Sequence, residues 1–539
     1  MDDRVKALSA EIIEAVKSGR VKDRDELQNL KLKLCGVHGL EKVPKSSEIL
    51  ANVQPEDRKL LTPFLIKKPM RTMSGVAVVA VMTSPFDCPH GKCAYCPGGV
   101  ANNSPQSYTG KEPAARRAGR NEYDPFRQVS DRINQLTEIG HQTDKIDLIV
   151  MGGTFTCRDP EYQEWFVRRC FDAMNGIDST TLGEAQALNE LSAHRCVGLT
   201  VETRPDVFDD AQIERSMRLG ATRVELGVQI LDDGILDGVD RGHRTDAVRD
   251  CTKRCKDHGL KVCYHLMPGL PGSSPEHDLE CFGKVFDLPD YRPDMLKFYP
   301  TLVVEGTKVL DWWKEGAYSP LGTEEAVDLL CRMKETVPEY VRIQRIQRDI
   351  PVPQITAGIM KSNLRQLVAD EMAKRGTQCR CIRCREVGHR GIRLTDPDKV
   401  ALKITEYEAS GGHEYFVALE YEDSIVGYVR VRIDGNPAAT IRELKVFGKI
   451  VSIGEDGDDW QHRGYGKSLV AEAERIAREN SKTAIRVTSG VGVRRYYESL
   501  GFRKALPYMQ KDLRSVVERD VVPARAALLD VLLDPVIVV

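Results

Sequence analysis

The sequence predicts an α/β fold in two parts. A partial (β/α)6 barrel precedes a smaller α/β domain of mostly antiparallel strands, with a helical module in front and a cysteine-bearing linker between them. Three observations carry the prediction. Short apolar runs alternate with helix-length amphipathic segments from residue 71 to about 335. From about residue 399 the runs follow one another with the spacing of antiparallel strands. Three thiols, Cys88, Cys93 and Cys96, follow the first apolar run directly, at the strand end where parallel barrels carry their chemistry.

Length and composition bound the reading. A chain of 539 residues has room for about three domains. With 41% hydrophobic and 29% charged residues it is globular rather than disordered. A net charge of -2 excludes a uniformly basic nucleic-acid coat but leaves room for a local basic groove. The first residues are charged where a signal peptide needs an apolar core, and no run reaches the ~18 apolar residues of a membrane span, so a cytoplasmic protein is expected. Its 15 cysteines are then mostly reduced. Clustered thiols mean metal, and singles such as Cys35, Cys170 and Cys331 mean core filler.

In order along the chain, residues 1–70 read as a helical module. Val5, Leu8, Ile12 and Val16 recur at helical spacing, Pro44, Pro55 and Pro63 break the pattern, and Lys67, Lys68 and Arg71 close it with a basic edge. A solvated face and a nucleic-acid contact both fit that edge. The barrel, 71–335, has candidate strands at 76–82, 146–151, 196–201, 223–228, 262–267 and 295–299, with helices at 124–140, 161–175 and 247–258. The linker, 336–398, holds Cys379, Cys381 and Cys384. The last domain, 399–539, reads as strands 413–421, 425–434 and 440–446, helix 466–479, strand 484–488 and helix 493–500.

The first thiol group is the most informative. Three thiolates leave one iron of a cubane cluster without a protein ligand, and an open iron can bind a substrate or cofactor. On this segment alone a structural zinc knuckle competes. Gly152 and Gly153, Glu202 with Arg204, Gln229, and the run 268–272 put glycine-rich or polar chemistry at the ends of successive strands, which favours the cluster. This barrel resembles the radical S-adenosylmethionine (radical SAM) family, whose fold is a partial TIM-like barrel. Its spacing, C-x4-C-x2-C, departs from the family's commoner C-x3-C-x2-C. The resemblance implies a 4Fe–4S cluster on Cys88, Cys93 and Cys96. It also implies S-adenosylmethionine chelated to the open iron beside Gly152, Gly153, Glu202 and Gln229, and cleavage to a 5′-deoxyadenosyl radical.

The second constellation is the glycine turn 461–468 opening the helix 466–479, followed by 490–502. Successive backbone N–H groups at a helix N-terminus cradle an anion such as a pyrophosphate. The pair resembles the coenzyme A site of the GNAT acetyltransferases. By that resemblance Glu443, Leu444, Lys445 and Val446, with Gly464, Tyr465, Gly466 and Lys467, contact acetyl-CoA, and Tyr497 sits beside the thioester. Plain helix packing remains an alternative for Tyr496 and Tyr497. The third, Cys379, Cys381 and Cys384, suits zinc, with Arg380, Arg383 and Arg385 lowering the cost of thiolate charge. His389 is near enough to be a fourth ligand, or is simply a surface histidine. Basic stretches at Arg116, Arg117 and Arg120, at Arg342, Arg345 and Arg348, and from Arg380 to Arg393 suit an RNA substrate.

The fusion of these two folds, and long runs at 71–85, 106–110, 151–155, 265–271 and 299–306, resemble the Elongator catalytic-subunit family across nearly the whole chain. The resemblance implies that the radical removes hydrogen from the acetyl-CoA methyl group, that the carbon radical adds to C5 of a tRNA wobble uridine, and that thioester hydrolysis leaves 5-carboxymethyluridine. Lys145 matches the family lysine that reaches acetyl-CoA from the barrel side, although a solvated pre-strand lysine fits the sequence as well. The tight spacing of the first two thiols points to a prokaryotic, archaeal member acting without the eukaryotic accessory subunits. Two other readings compete. One is a protein-lysine acetyltransferase with Glu443 as base and the barrel as an iron–sulfur or zinc scaffold. The other is a nucleic-acid-binding module that senses acetyl-CoA without turnover.

Overall fold

The computed structural model describes residues 3–66, 72–448 and 464–514. The expected basic edge of Lys67, Lys68 and Arg71, the start of the glycine turn at 461–463, and residues 515–539 lie outside the described residues.

Four helices open the chain, α1 (Asp3–Lys17), α2 (Arg24–Val37), α3 (Ser46–Leu50) and α4 (Pro55–Leu65). Leu8, Ile12 and Val16 of α1 pack against Leu27 and Leu34 of α2, Ile49 of α3, and Leu61 and Leu65 of α4 in a core of their own. Asp23 caps α2 by accepting the Glu26 N–H at 2.8 Å. Pro55 opens α4 at its first turn instead of breaking a helix, since a first-turn N–H has no helical partner to lose.

The barrel strands are β1 (Ala77–Met82), β2 (Lys145–Met151), β3 (Arg195–Thr203), β4 (Arg223–Gln229), β5 (Lys261–Leu266) and β6 (Met295–Phe298). After β7 (Val303–Val304) comes β8 (Arg342–Arg345), followed by β9 (Ile355–Ala357), which pairs with β7 outside the main sheet. The sheet runs β1-β2-β3-β4-β5-β6-β8 and every pairing in it is parallel. The segment of β8 was expected in the linker. It instead extends the sheet by a seventh strand paired with β6, its Arg342 buried against Glu386. No helix among the described residues is long and apolar enough to cross a membrane.

The second sheet is built from β10 (Ala401–Ala409), β11 (Gly412–Tyr421), β12 (Ser424–Ile433), β13 (Ala438–Val446), β14 (Ala484–Val487), β15 (Arg503–Ala505) and β16 (Tyr508–Asp512). Its order is β10-β11-β12-β13-β14-β16-β15, antiparallel except for β13 with β14. That parallel pair is joined only from Ala438↔Ala484 to Ile441↔Val487. Beyond Ile441, β13 continues to Val446 on β12 alone, so the two strands part and leave a cleft.

This cleft faces the N-terminal ends of the barrel strands, and buried charges join the two domains. Arg442 of β13 is fully buried and reaches Asp294 at 2.6 Å and Glu414 at 2.9 Å. Arg430 donates to Tyr340 O at 2.6 Å, and Tyr508 to His258 O at 3.0 Å. The loop 490–492 presses so closely on β3 that a Cβ on Gly490 would stand 2.2 Å from Val197 O, and one on Gly492 2.5 Å from the Arg195 Cβ. Only glycine permits that approach. Cys35, Cys170 and Cys331 are buried in apolar surroundings, as core filler should be.

Candidate functional sites at the two ends of the barrel

At the C-terminal end of the sheet an open cavity of roughly 1060 Å³, mouth included, is lined by Cys88, Cys93 and Cys96 and by strand ends that bring Gly153, Glu202, Gln229, His265 and Tyr299 together. Each thiol has a hydrogen-bonding neighbour of its own. Thr154 Oγ1 lies 3.2 Å from Cys88 Sγ, His90 Nε2 3.2 Å from Cys93 Sγ, and the Ser107 N–H donates to Cys96 Sγ at 3.2 Å. Arg241 Nη1 adds a charged donor 3.7 Å from Cys93. Donors aimed at sulfur stabilise thiolates and set the potential of a cluster they hold. Burial first, and then Arg204 and Arg241, push His90 down to about 4, so it is a neutral ring at physiological pH. The Sγ atoms of Cys379, Cys381 and Cys384 lie within 4.8 Å of one another, a grouping that can hold one metal ion.

The polar rim of this cavity is built. Tyr108 donates to Glu202 Oε2 at 2.8 Å, and Glu225 accepts from Lys297 and meets His265 Nε2 at 2.9 Å. Burial raises the Glu202 carboxyl, with Glu225 adding to the effect. Gln229 Oε1 is buried and has no partner, an acceptor waiting for a ligand. Gly152 and Gly153 have φ of +147° and +83°, and a Cβ on Gly152 would meet Thr83 Oγ1 at 2.1 Å. Gly152 is required by its packing on Thr83, before Cys88, and Gly153 by its approach to Gln106 O, which a Cβ would meet at 2.9 Å. Sequence reasoning passed over His90 and Arg241. Tyr108 and His265 lay in runs that were singled out only as a resemblance.

A second cavity of roughly 890 Å³ occupies the cleft between β13 and β14. Glu443, Leu444, Lys445, Val446, Tyr496 and Tyr497 line one side, and Gly75, Asp147, Val197, Arg223 and Lys261 of the barrel line the other. Tyr496 Oη and Thr488 Oγ1 are buried without partners here, so the polar walls have capacity for a ligand. Burial raises the Glu443 carboxyl, but Lys261, Arg430 and Lys445 outweigh it and hold the carboxylate below its usual range. Its salt bridge to Arg430 Nε is 2.9 Å long. Burial and Arg342 lower Lys445 to about 8.

Gly464 caps the helix Tyr465–Glu479 with φ of +77°, and Tyr465, Gly466 and Lys467 form its first turn. They are not among the lining residues of the cleft cavity. Lys145 is buried at the start of β2, lowered by that burial, two residues before Asp147 on the same strand face. It does not line the cavity itself. His389 turns Nε2 to Glu386 Oε1 at 3.4 Å and is not gathered with the three linker thiols.

Several of the arginines read as RNA-facing instead clamp other parts of the protein. Arg342 is buried and pairs with Glu386 at 2.6 Å, and Arg348 donates to Ser107 O. Arg385 is 2% exposed and reaches Glu420 at 2.5 Å, while Arg380 spans Glu339 and Asp423 at 2.8 Å each. Arg117 is buried against Ala80 O at 2.5 Å. Arg116 and Arg120 remain at the surface. Charge spacing alone did not distinguish a solvated face from the inside of a barrel.

Comparison with known proteins agrees with this architecture. Family models for the ELP3 N-terminal domain match residues 5–73, for the radical SAM superfamily 83–282, for the radical SAM C-terminal domain 293–374 and for the GNAT acetyltransferase family 387–502. The chain is 47% identical over 538 residues to the tRNA uridine(34) acetyltransferase of Methanocaldococcus jannaschii, covering 95% of this chain and 99% of that one. It is 42% identical to Elongator complex protein 3 of Homo sapiens, over 94% and 96% of the two chains. The solved structure of an N-terminally deleted Elp3 from Methanocaldococcus infernus matches with a TM-score of 0.72 at 45% identity, covering 81% of this chain and 99% of that one. A radical SAM barrel joined to a GNAT domain, matched at this identity from end to end, places the chain in the family of Elongator complex protein 3 and the tRNA uridine(34) acetyltransferases.

Proposed function

We propose that the chain is a tRNA uridine(34) carboxymethyl synthase that uses both cavities in one reaction. A 4Fe–4S cluster with S-adenosylmethionine, held at the thiol end, would supply the radical chemistry that activates the acetyl-CoA methyl group, and this carbon would then join C5 of the wobble uridine before thioester hydrolysis. Cys88, Cys93 and Cys96 would hold the cluster, each with a hydrogen-bonding neighbour that can donate to a thiolate. Glu202 and the unpartnered Gln229 Oε1 would bind S-adenosylmethionine. The backbone of Glu443 to Val446 and the turn Gly464 to Lys467 would hold acetyl-CoA, with Tyr496 and Tyr497 beside the thioester and Lys145 behind Asp147 at the barrel side. Cys379, Cys381 and Cys384 would hold zinc and pin the linker, with a fourth ligand other than His389. The module 1–70 would contact tRNA, and the enzyme would work in the cytoplasm without accessory subunits.

The observation that carries this reading is the far wall of the acetyl-CoA cavity, which is made by the barrel through Asp147, Val197, Arg223 and Lys261. A protein-lysine substrate would have to occupy that wall. Glu443, the base such a reaction needs, is instead tied to Arg430 as a stabilised carboxylate, a poor proton acceptor. Cys93→Ser separates the readings. It should abolish 5-carboxymethyluridine formation and leave acetyl-CoA affinity unchanged; full product from that variant would remove the cluster from the mechanism.

A further inference from the structure

Asp232, His277 and Cys281 bring a carboxylate, an imidazole and a thiol together, and none of them lines either of the two large cavities. Asp232 stands three residues past the end of β4 and caps the short helix Asp233–Gly238. Its Oδ1 accepts the Ile235 N–H at 2.9 Å, which fixes the side chain and leaves Oδ2 for another partner. His277 and Cys281 lie in the helix Pro275–Asp287, which follows β5. Four residues apart, they share one helical face, and that face meets the Asp232 turn. Ser274 Oγ accepts the His277 N–H at 3.2 Å and so holds the first turn, which carries the ring.

One ring nitrogen is asked to serve two partners. His277 Nε2 lies 3.2 Å from Asp232 Oδ2 and 3.5 Å from Cys281 Sγ. That atom carries either one hydrogen or one lone pair. As a donor to the carboxylate it gives the thiol no acceptor, and as an acceptor from the thiol it turns its lone pair toward the carboxylate. A divalent cation resolves the conflict, because nitrogen, carboxylate and thiolate then all direct lone pairs at one centre. The distances fit such a centre. In a tetrahedral zinc site with Zn–N and Zn–O bonds of about 2.0 Å and a Zn–S bond of about 2.3 Å, the N···O and N···S edges are about 3.3 and 3.5 Å. The surroundings fit as well. Glu280 Oε2 stands 3.9 Å from His277 Nδ1, on the side where a ligating histidine keeps a carboxylate that sets its tautomer. Asp232, a neutral His277 and a Cys281 thiolate sum to two negative charges, which a divalent ion balances. Lys284, 3.9 Å from Cys281 Sγ, is balanced in turn by Glu280 at 3.3 Å.

We infer that Asp232, His277 and Cys281 form a further metal site, for zinc, which clasps the turn after β4 to the helix after β5. One oxygen, one imidazole nitrogen and one thiolate are a donor set that zinc accepts, whereas magnesium and calcium call for oxygen alone. Asp232 and His277 are 27% and 33% exposed, so water completes the tetrahedron from the solvent side, while Cys281, 2% exposed, holds the ion from beneath. The ion's role is to fix structure. Gln229, which ends β4 in the left-handed region with φ of +75°, is three residues from Asp232 and shares a small cavity of roughly 270 Å³ with Cys281. Zinc would hold that strand end still behind the thiol-end cavity, and its binding does not depend on which reaction the cavity performs.

The test is a differential metal analysis of the full chain. Cluster-reconstituted protein is dialysed anaerobically against zinc chloride, freed of loosely held metal on a desalting column and assayed by elemental analysis. Wild type should hold one more zinc per chain than His277→Gln, a change at a partly exposed position that leaves the core untouched. Cys281→Ala should repeat the loss. Zinc at the other two thiol groups is common to all three proteins and cancels in the difference. Added zinc should also raise the unfolding midpoint further in wild type than in His277→Gln, since an ion bound only by the folded state stabilises it. With cobalt(II) in place of zinc, the spectrum of wild type minus His277→Gln should contain a sulfur-to-cobalt charge-transfer band, the mark of a thiolate ligand. Equal zinc in wild type and both variants would overturn the site and leave an ordinary hydrogen-bonded cluster. A cobalt difference spectrum without the band would remove Cys281 as a ligand, and the site with it.

Discussion

Replacing Arg442 by methionine should loosen the junction that makes two catalytic folds into one enzyme. The guanidinium makes five hydrogen bonds. It donates to Asp294 Oδ2 at 2.8 Å and Oδ1 at 2.6 Å, to Glu414 Oε2 at 2.9 Å and 3.1 Å, and to Leu260 O at 3.0 Å. Arg442 and both its charged partners are buried. Removing one member of a buried pair costs about 3–5 kcal/mol, because the other charge is left without compensation. Here the lower end applies. Asp294 keeps Arg430 at 3.6 Å, and Glu414 keeps Arg432 at 3.0 Å. We therefore expect a loss of about 3 kcal/mol in denaturant unfolding, with faster amide exchange along β13. Burial raises the Asp294 carboxyl, but Arg442, Lys256 and Arg430 outweigh it and hold the group far below its usual range. A carboxylate depressed in the folded state stabilises above its unfolded pKa and loses that contribution as pH falls. The gap between wild type and variant should thus be full at neutral pH and shrink below pH ~4. A loss under about 1 kcal/mol at pH 7, the range of an exposed pair, would refute the claim that this contact fuses the domains.

Other outcomes follow from the two cavities and the linker. Cys381→Ser should reduce bound zinc, measured by elemental analysis of metal-reconstituted protein, and lower the unfolding midpoint; unchanged zinc stoichiometry would remove the linker site. Lys445, lowered to about 8 by burial and Arg342, should lose its proton as pH rises through that value, so affinity for anionic acetyl-CoA should weaken from pH 7 to 9 and Lys445→Met should flatten the profile. Calorimetric titration reads this directly, and a profile identical in the variant would rule the lysine out. Tyr497→Ala should weaken acetyl-CoA binding more than Tyr497→Phe, since the ring lines the cavity and packs on Phe502 at 5.6 Å. Equal effects of the two would assign the hydroxyl, and not the ring, to the ligand.

The apolar skeleton was legible in the sequence. All six expected barrel strands occur within two residues of their predicted limits, because Val, Ile and Leu on the helix-covered face form runs such as Ile146 to Met151 that only a buried strand explains. The strand-end residues Glu202 and Gln229 were legible for the same reason, since a polar residue closing an apolar run marks the catalytic rim. The inward face was not. Arg223, Glu225, Lys261 and Lys297 were given no role, and β8 read as a basic stretch, because a strand whose charges point into a polar lumen has the same alternation as one facing water. Ion pairing across strands, such as Arg223 with Asp147, exists only in three dimensions. Lys145 was placed by family resemblance, and its position on β2 adds the detail that it shares a face with Asp147 but stands one step back from the cavity wall.

The central claim is that one reaction spans both ends of the barrel. Its most direct test is an anaerobic incubation of cluster-reconstituted protein with S-adenosylmethionine, reductant, bulk tRNA and acetyl-CoA deuterated in its methyl group, followed by nucleoside mass spectrometry. The account predicts deuterium in 5′-deoxyadenosine together with 5-carboxymethyluridine in the tRNA. Cleavage of S-adenosylmethionine with no deuterium transfer and no modified uridine, from protein with a verified cluster, would contradict it.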